Sequence, residues 1–194
     1  MPRYRSRVHL ALELLVLAFG SASYVVGARD VLVRGYAPSV FSRVVWLLLA
    51  GISSAGVVAS GSGSGAVLLA GVFLVGNAVM CLLSLWKGTR EVGRLEYACL
   101  AILAVSVLVW LVFDAPVVSL VLSLLAHLVG GVPTYRRAWR RPASESAGFW
   151  SLFFVASVFS LLATLGEPAQ SLVFPLYFVL FDGGMTALAL RRQR

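Results

Sequence analysis

Seven stretches of about twenty mostly apolar residues, at roughly 8–28, 39–60, 66–86, 95–113, 116–135, 147–166 and 171–190, leave this chain few choices of fold. At about 1.5 Å of rise per residue, a helix of that length crosses the roughly 30 Å hydrocarbon layer of a bilayer. A backbone in hydrocarbon must satisfy its own N–H and C=O groups, and a contiguous apolar run of this length does so as a helix. With 60% hydrophobic and 12% charged residues among 194, too little polar surface remains to wet a soluble domain. The expected fold class is an all-α integral membrane protein with seven transmembrane helices and no separate soluble domain.

Charge placement orients the helices. Thirteen of the sixteen Lys and Arg residues fall on one side of a seven-span chain: Arg29, Arg34 and Arg43; Lys87, Arg90 and Arg94; Arg136, Arg137, Arg140 and Arg141; Arg191, Arg192 and Arg194. The positive-inside rule makes that side the cytoplasm, with the N-terminus outside and the C-terminus inside. The opposite side carries Arg3, Arg5 and Arg7 before the first span, and Asp114 and Glu167 in its loops. Three arginines ahead of an apolar run, with "FGSAS" near its end, have the pattern of a secretory leader. Glu13 interrupts the apolar core such a leader needs, so the first span is read as uncleaved. Short loops and a high arginine content fit a bacterial inner membrane.

The formal charge of +8 sits in short connections rather than on one continuous face, so it implies anchoring to a bilayer surface and no nucleic-acid partner. Cys81 and Cys99 lie inside apolar runs, without metal-ligand or paired-loop spacing, and read as small packing residues. "GSGSG" at 61–65 follows a span and lacks the Lys-Ser/Thr ending of a phosphate cradle, so it reads as a tight hairpin.

Sliding the chain against itself by 104 positions brings Gly27 onto Gly131, Pro38 onto Pro142 and Trp46 onto Trp150, and one further residue brings Asn77 onto Asp182. Three helices, a fourth, then three again leave both triplets in the same orientation, which is a parallel repeat. The expected organisation is two parallel triple-helix bundles, residues 1–90 and 115–194, joined by a linker helix at 91–114. "VPTYRRAWRRPASESAGFWSLFF" resembles a PQ-loop motif, in which a proline near the cytoplasmic end of a helix precedes a basic stretch, a small polar cluster and an aromatic-rich helix. Pro133 takes the place of the motif's proline, but Thr134 stands where glutamine normally follows. The first copy, "RGYAPSVFSRVVWLLL", keeps only a basic residue, Pro38, the polar cluster and Trp46; Arg29 stands at the position of Pro133.

With the three-one-three layout, the whole chain resembles the SWEET and PQ-loop superfamily of small-solute transporters. The resemblance implies a central pocket faced by Asn77 and by Asp182, which stands where a second asparagine is usual, and lined by Trp46 and Trp150. It also implies that a chain holding both bundles need not dimerise, so monomer and homo-oligomer both stay open.

Polar groups deep in an apolar run are costly, about 2.5–3.5 kcal/mol for a charged one on insertion scales, and each needs a reason. Asn77 in "LVGNAVM", His127 in "LLAHLVG" and Asp182 in "VLFDGGM" are such groups. The plain reason is glue between helices. A carboxylate such as Asp182 must further be paired, face water, or carry a proton. Facing one cavity, Asp182 and His127 form a carboxylate–imidazolium pair able to couple a proton to a solute. Tyr24 and Tyr177 lie at a depth suited to the same pocket, and Pro38, Pro133, Pro142 and Pro175 are expected hinges. Glu13, near the outer face, suits an interfacial role.

No enzyme is expected. The single lysine, Lys87, lies in a loop and not in the last helix where a retinal Schiff base needs it; a second deep aspartate for an intramembrane protease and an H-E-x-x-H helix are missing. No cofactor or metal is expected either. The expected function is transport of a small polar solute (a sugar, an amino acid or a related metabolite), with lipid and a proton as the other partners. The rival is a receptor or regulatory membrane protein of the same fold that binds without transport.

Overall fold

A computed structural model describes residues 2–38, 40–88, 90 and 94–191, without the side chains of 2–6, 42, 95, 96, 133 and 144. Among the described residues there are seven α-helices: α1 (Pro2–Val33), α2 (Val40–Ala59), α3 (Ser64–Lys87), α4 (Arg94–Phe113), α5 (Pro116–Arg140), α6 (Ala147–Ala163) and α7 (Ala169–Ala189), with a single 3₁₀ turn at Pro142–Ser144 before α6. Four segments, Arg7–Val33, Ser64–Lys87, Pro116–Arg140 and Ala169–Ala189, are long and apolar enough to cross a membrane; Arg43–Ala59, Tyr97–Phe113 and Ala147–Ala163 are apolar but shorter.

The breaks follow from local chemistry. After α2 the chain reverses at Gly61, whose φ of +67° is open to glycine without strain, while Gly61 and Ser62 N–H groups bond back to the Val58 and Val57 carbonyls. Pro116 opens α5, where the missing N–H would in any case have no helical partner. Ser146 starts α6 by accepting the Phe149 N–H at 3.2 Å. Gly166 and Pro168 follow α6 and stop it short of the predicted residue 166.

Two helices outrun expectation. α1 continues to Val33 rather than 28, and α5 to Arg140 rather than 135, so Arg136, Arg137 and Arg140 belong to the end of a helix and not to a loop. Arginine is a good helix former, and its charge suits the negative C-terminal pole, so nothing at 136–140 stops α5 before Pro142. The four expected hinges divide accordingly. Pro38 lies in the connection before α2 and Pro142 opens the 3₁₀ turn; Pro133 lies within α5, its side chain outside the described residues, and Pro175 lies within α7, which runs on through it.

Helix α3 packs on both α1 and α2, and α7 on both α5 and α6; α1 packs against α6, α2 against α5, α3 also touches α6 and α7, and α4 lies on α5 and α2. Small residues make these contacts close. A Cβ at Gly76 would run into the Tyr24 ring, so α1 rests directly on the bare backbone of α3. Hydroxyls join neighbours: Ser53 to Ser123 (2.8 Å), Ser54 to the Ala70 carbonyl (3.0 Å), Ser106 to the Ser119 carbonyl (2.7 Å), and Ser160 to the Gly65 carbonyl (2.8 Å). The outer surface is the reverse, with Leu111, Phe113, Leu82, Leu180 and Val25 exposed. The two expected packing cysteines, Cys81 and Cys99, are buried, and the Cys99 thiol donates to the Ala126 carbonyl at 3.4 Å.

Gly76→Val is expected to drive two branched methyls into the Tyr24 ring and to destabilise the fold by about 1–3 kcal/mol, as overpacking does. Thermal unfolding of the purified protein in detergent measures this; a variant melting at the wild-type temperature would show that α1 and α3 can separate freely.

Candidate functional site

Two groups of the predicted site residues meet in the interior. In the first, Asn77 Nδ2 donates to the Tyr24 hydroxyl oxygen at 3.0 Å and to the Phe73 carbonyl one turn back at 2.8 Å. Tyr24 sits edge-on to Phe149 and Phe153. In the second, His127 Nδ1 lies 2.8 Å from the Tyr177 hydroxyl, and its ring packs against Trp46 (centroids 5.1 Å apart), Phe73 (5.5 Å), Phe178 (5.5 Å) and Phe181 (4.8 Å). Phe73 belongs to both groups, offering its carbonyl to Asn77 and its ring to His127. An aromatic wall of this kind is a stiff, apolar setting in which a few placed polar atoms set orientation.

Among the described residues Asp182 shares no hydrogen bond with the polar side chains of either group. It is 2% exposed, and its Oδ2 lies 3.5 Å from the Ser157 hydroxyl, whose shorter bond of 2.9 Å goes to the Phe153 carbonyl. One hydroxyl hydrogen cannot serve both acceptors well, so the carboxyl group is weakly held. Among the described residues Asp182 and His127 form no ion pair; His127 Nδ1 meets Tyr177, five residues earlier on α7. The second tryptophan, Trp150, packs on Phe181 at 6.2 Å and on Phe149 at 4.9 Å. Its indole N–H points elsewhere, to Glu145 Oε2 at 3.4 Å.

That bond leads to a region the sequence reading missed. A cavity of about 390 Å³ lies at the end where the basic segments gather, bordered by Asp30 and Arg34, Tyr36, Arg137, Glu145 and Ser146. A pocket of about 20 Å³, room for about one water, shares Tyr36, Glu145 and Ser146 with it and adds Arg43 and Trp150. Arg34 Nε lies 3.3 Å from Asp30 Oδ1, an ion-pair contact without hydrogen-bond alignment. Arg43, counted above among the loop cations, is buried at the start of α2. Its guanidinium is 3.5 Å from the Tyr36 hydroxyl and stacks 5.1 Å over the Trp46 ring. Glu145 is 8% exposed and its Oε1 has no hydrogen-bond partner among the described residues. Burial pushes its carboxyl above the ordinary range, against the opposing pull of Arg137, the Trp150 bond and Arg43.

At the opposite end His9 Nε2 lies 3.2 Å from Glu13 Oε1 on the same helix and 2.9 Å from the Ser64 hydroxyl, so His9, beside Glu13, ties α1 to the start of α3. Among the described residues no group of three or more His, Cys, Asp and Glu residues could hold a metal ion.

Two measurements check these contacts. Tyr177→Phe is expected to cost about 1 kcal/mol by orphaning a buried His127 nitrogen. Replacing His127 by Leu in that background is expected to recover most of the loss, because no polar atom is then left unpaired. For Glu145 the sign follows from its raised value: the fold favours the neutral carboxyl, so ionisation costs stability as pH rises from the unfolded value, near 4.5, through the folded one. Glu145→Gln should therefore melt with the wild type at pH 4 and above it at pH 8. The chain matches no protein-family model, no curated protein and no solved structure, so its site stands on its own geometry.

Proposed function

We propose that this chain is a membrane-embedded carrier of a small polar solute, built as two parallel triple-helix bundles of the SWEET and PQ-loop kind. The observation that carries the reading is the packing order. Within each triplet the third helix lies between the other two, α3 between α1 and α2 and α7 between α5 and α6. The contacts that join the triplets, α1 with α6 and α2 with α5, exchange with each other when each helix is replaced by its counterpart four places along. Phe73 and Phe178, which correspond at the offset that aligns Asn77 with Asp182, touch each other with ring centroids 4.6 Å apart. These relations support a duplicated triplet folded about an approximate two-fold axis, which the α3–α6 contact, without an α2–α7 counterpart of like extent, breaks locally.

Membrane residence is supported by an outer surface of Leu, Val and Phe around an interior holding Asn77, His127, Asp182 and a run of bonded serines, the distribution a hydrocarbon solvent favours. The ends gathering Arg34, Arg137, Arg141 and Arg191 are the cytoplasmic face in this reading. The solute passes between the triplets at the level of Asn77 and the His127–Tyr177 pair. Asp182, buried with one long contact, is the group that exchanges a proton with the solute path.

Flux of labelled sugars and amino acids into proteoliposomes, with and without a pH gradient, tests the proposal. A transported solute should lose at least ten-fold in rate in Asp182→Asn, together with its response to the gradient, while the variant still folds. An unchanged rate and pH response would remove Asp182 from the mechanism. Solute binding without flux under any gradient would favour a receptor over a carrier.

A further inference from the structure

We infer that the cavity between Asp30, Arg34, Arg137 and Glu145 is a binding site for small dipolar solutes carrying both a primary ammonium and an anionic group. As the solute class of the proposed carrier this rests on that reading; as a binding site it rests on the cavity alone.

Asp30 and Arg34 neutralise each other at 3.3 Å across one turn of α1. Two opposite charges that border the cavity remain, Arg137 at the end of α5 and Glu145 ahead of α6, without an ion pair between them among the described residues; buried Arg43, which also acts on Glu145 from the smaller pocket, is already engaged with Tyr36 and Trp46. A cavity that holds a cation and an anion apart leaves both to be met by a guest. A guest with one charge gains from one of them and is repelled by the other, whereas a dipolar guest gains from both without adding net charge.

Hydrogen bonding selects the groups. Glu145 is buried, one carboxyl oxygen already takes the Trp150 N–H, and the other has no donor among the described residues. A buried acceptor without a donor is a cost that an ammonium, with three N–H groups, removes. Arg137 is exposed at the rim and unpaired among the described residues, and its planar fork suits a carboxylate or a phosphate. Tyr36 and Ser146 border the same space with hydroxyls, and its volume of about 390 Å³ is that of a small-molecule pocket. Glu145 also borders the smaller pocket that reaches Trp150, so the ammonium end is held on the side nearer the interior.

Equilibrium binding to the full chain in detergent tests the site with glycine, 4-aminobutyrate and phosphoethanolamine as dipolar probes, and ethylammonium, acetate and glucose as controls. At least one dipolar probe should bind ten-fold or more tightly than every control. Glu145→Gln and Arg137→Gln should each weaken it ten-fold or more, while Arg140→Gln, outside the cavity, should not. Controls that bind as tightly as the dipolar probes, no binding by any dipolar probe, or affinity retained in both cavity variants would overturn the inference. Should a variant fail to fold, the probe comparison on the unaltered chain decides. Flux separates the two readings: dipolar binding without flux keeps the site and removes the carrier, and flux of a bound probe untouched by both variants keeps the carrier and removes the site.

Discussion

Every polar atom inside this bundle needs a partner from within it, and that constraint organises the packing. Serine meets it cheaply, since its hydroxyl bonds either its own preceding turn, as Ser123 does with Leu120, or a facing helix, as Ser160 does with Gly65. The bonds between helices fall on the contacts that hold the fold together: α2 with α5 through Ser53 and Ser123, α4 with α5 through Ser106 and Ser119, α3 with α6 through Gly65 and Ser160. Where larger polar groups enter, they take larger partners. Asn77 uses a tyrosine and a backbone carbonyl, His127 uses a tyrosine within a box of rings, and Asp182 meets, among the described residues, a serine already engaged.

Seven helices and their sequence order were legible because the apolar runs are long and their breaks carry Gly, Pro or charge. Helix ends were less so. Val33 and Arg140 extend α1 and α5 by a turn or more because arginine ends an apolar run without ending a helix. The interior residues were found by their cost: Asn77, His127 and Asp182 stand out in an apolar run, and each proves buried. Their partners were not equally visible. Tyr24 and Tyr177 were picked for depth and do bond Asn77 and His127, but depth alone could not say that Tyr177 and not Asp182 reaches the histidine.

The basic end was misread for a different reason. Arginines counted as topology signals are interchangeable in sequence, and nothing in "FSRVVW" marks Arg43 as buried over Trp46. Asp30, Arg34, Arg137 and Glu145 lie as much as 115 positions apart and become neighbours only when α1, α5 and the segment before α6 converge. An acid among arginines, as Glu145 is in "RRPASESAG", was the available signal. Its weight appears only once burial removes the water that would otherwise satisfy it.

The Tyr24 ring resting on Gly76 binds three positions into one volume problem. A side chain at 76 needs the space the ring occupies, and a smaller residue at 24 yields that space but takes away the hydroxyl that Asn77 bonds. Residues 24, 76 and 77 are therefore free to change only together: a related chain with a bulkier residue at 76 must carry a smaller one at 24 and an apolar or self-satisfied one at 77. Such joint drift would be the imprint of this contact on a family of sequences.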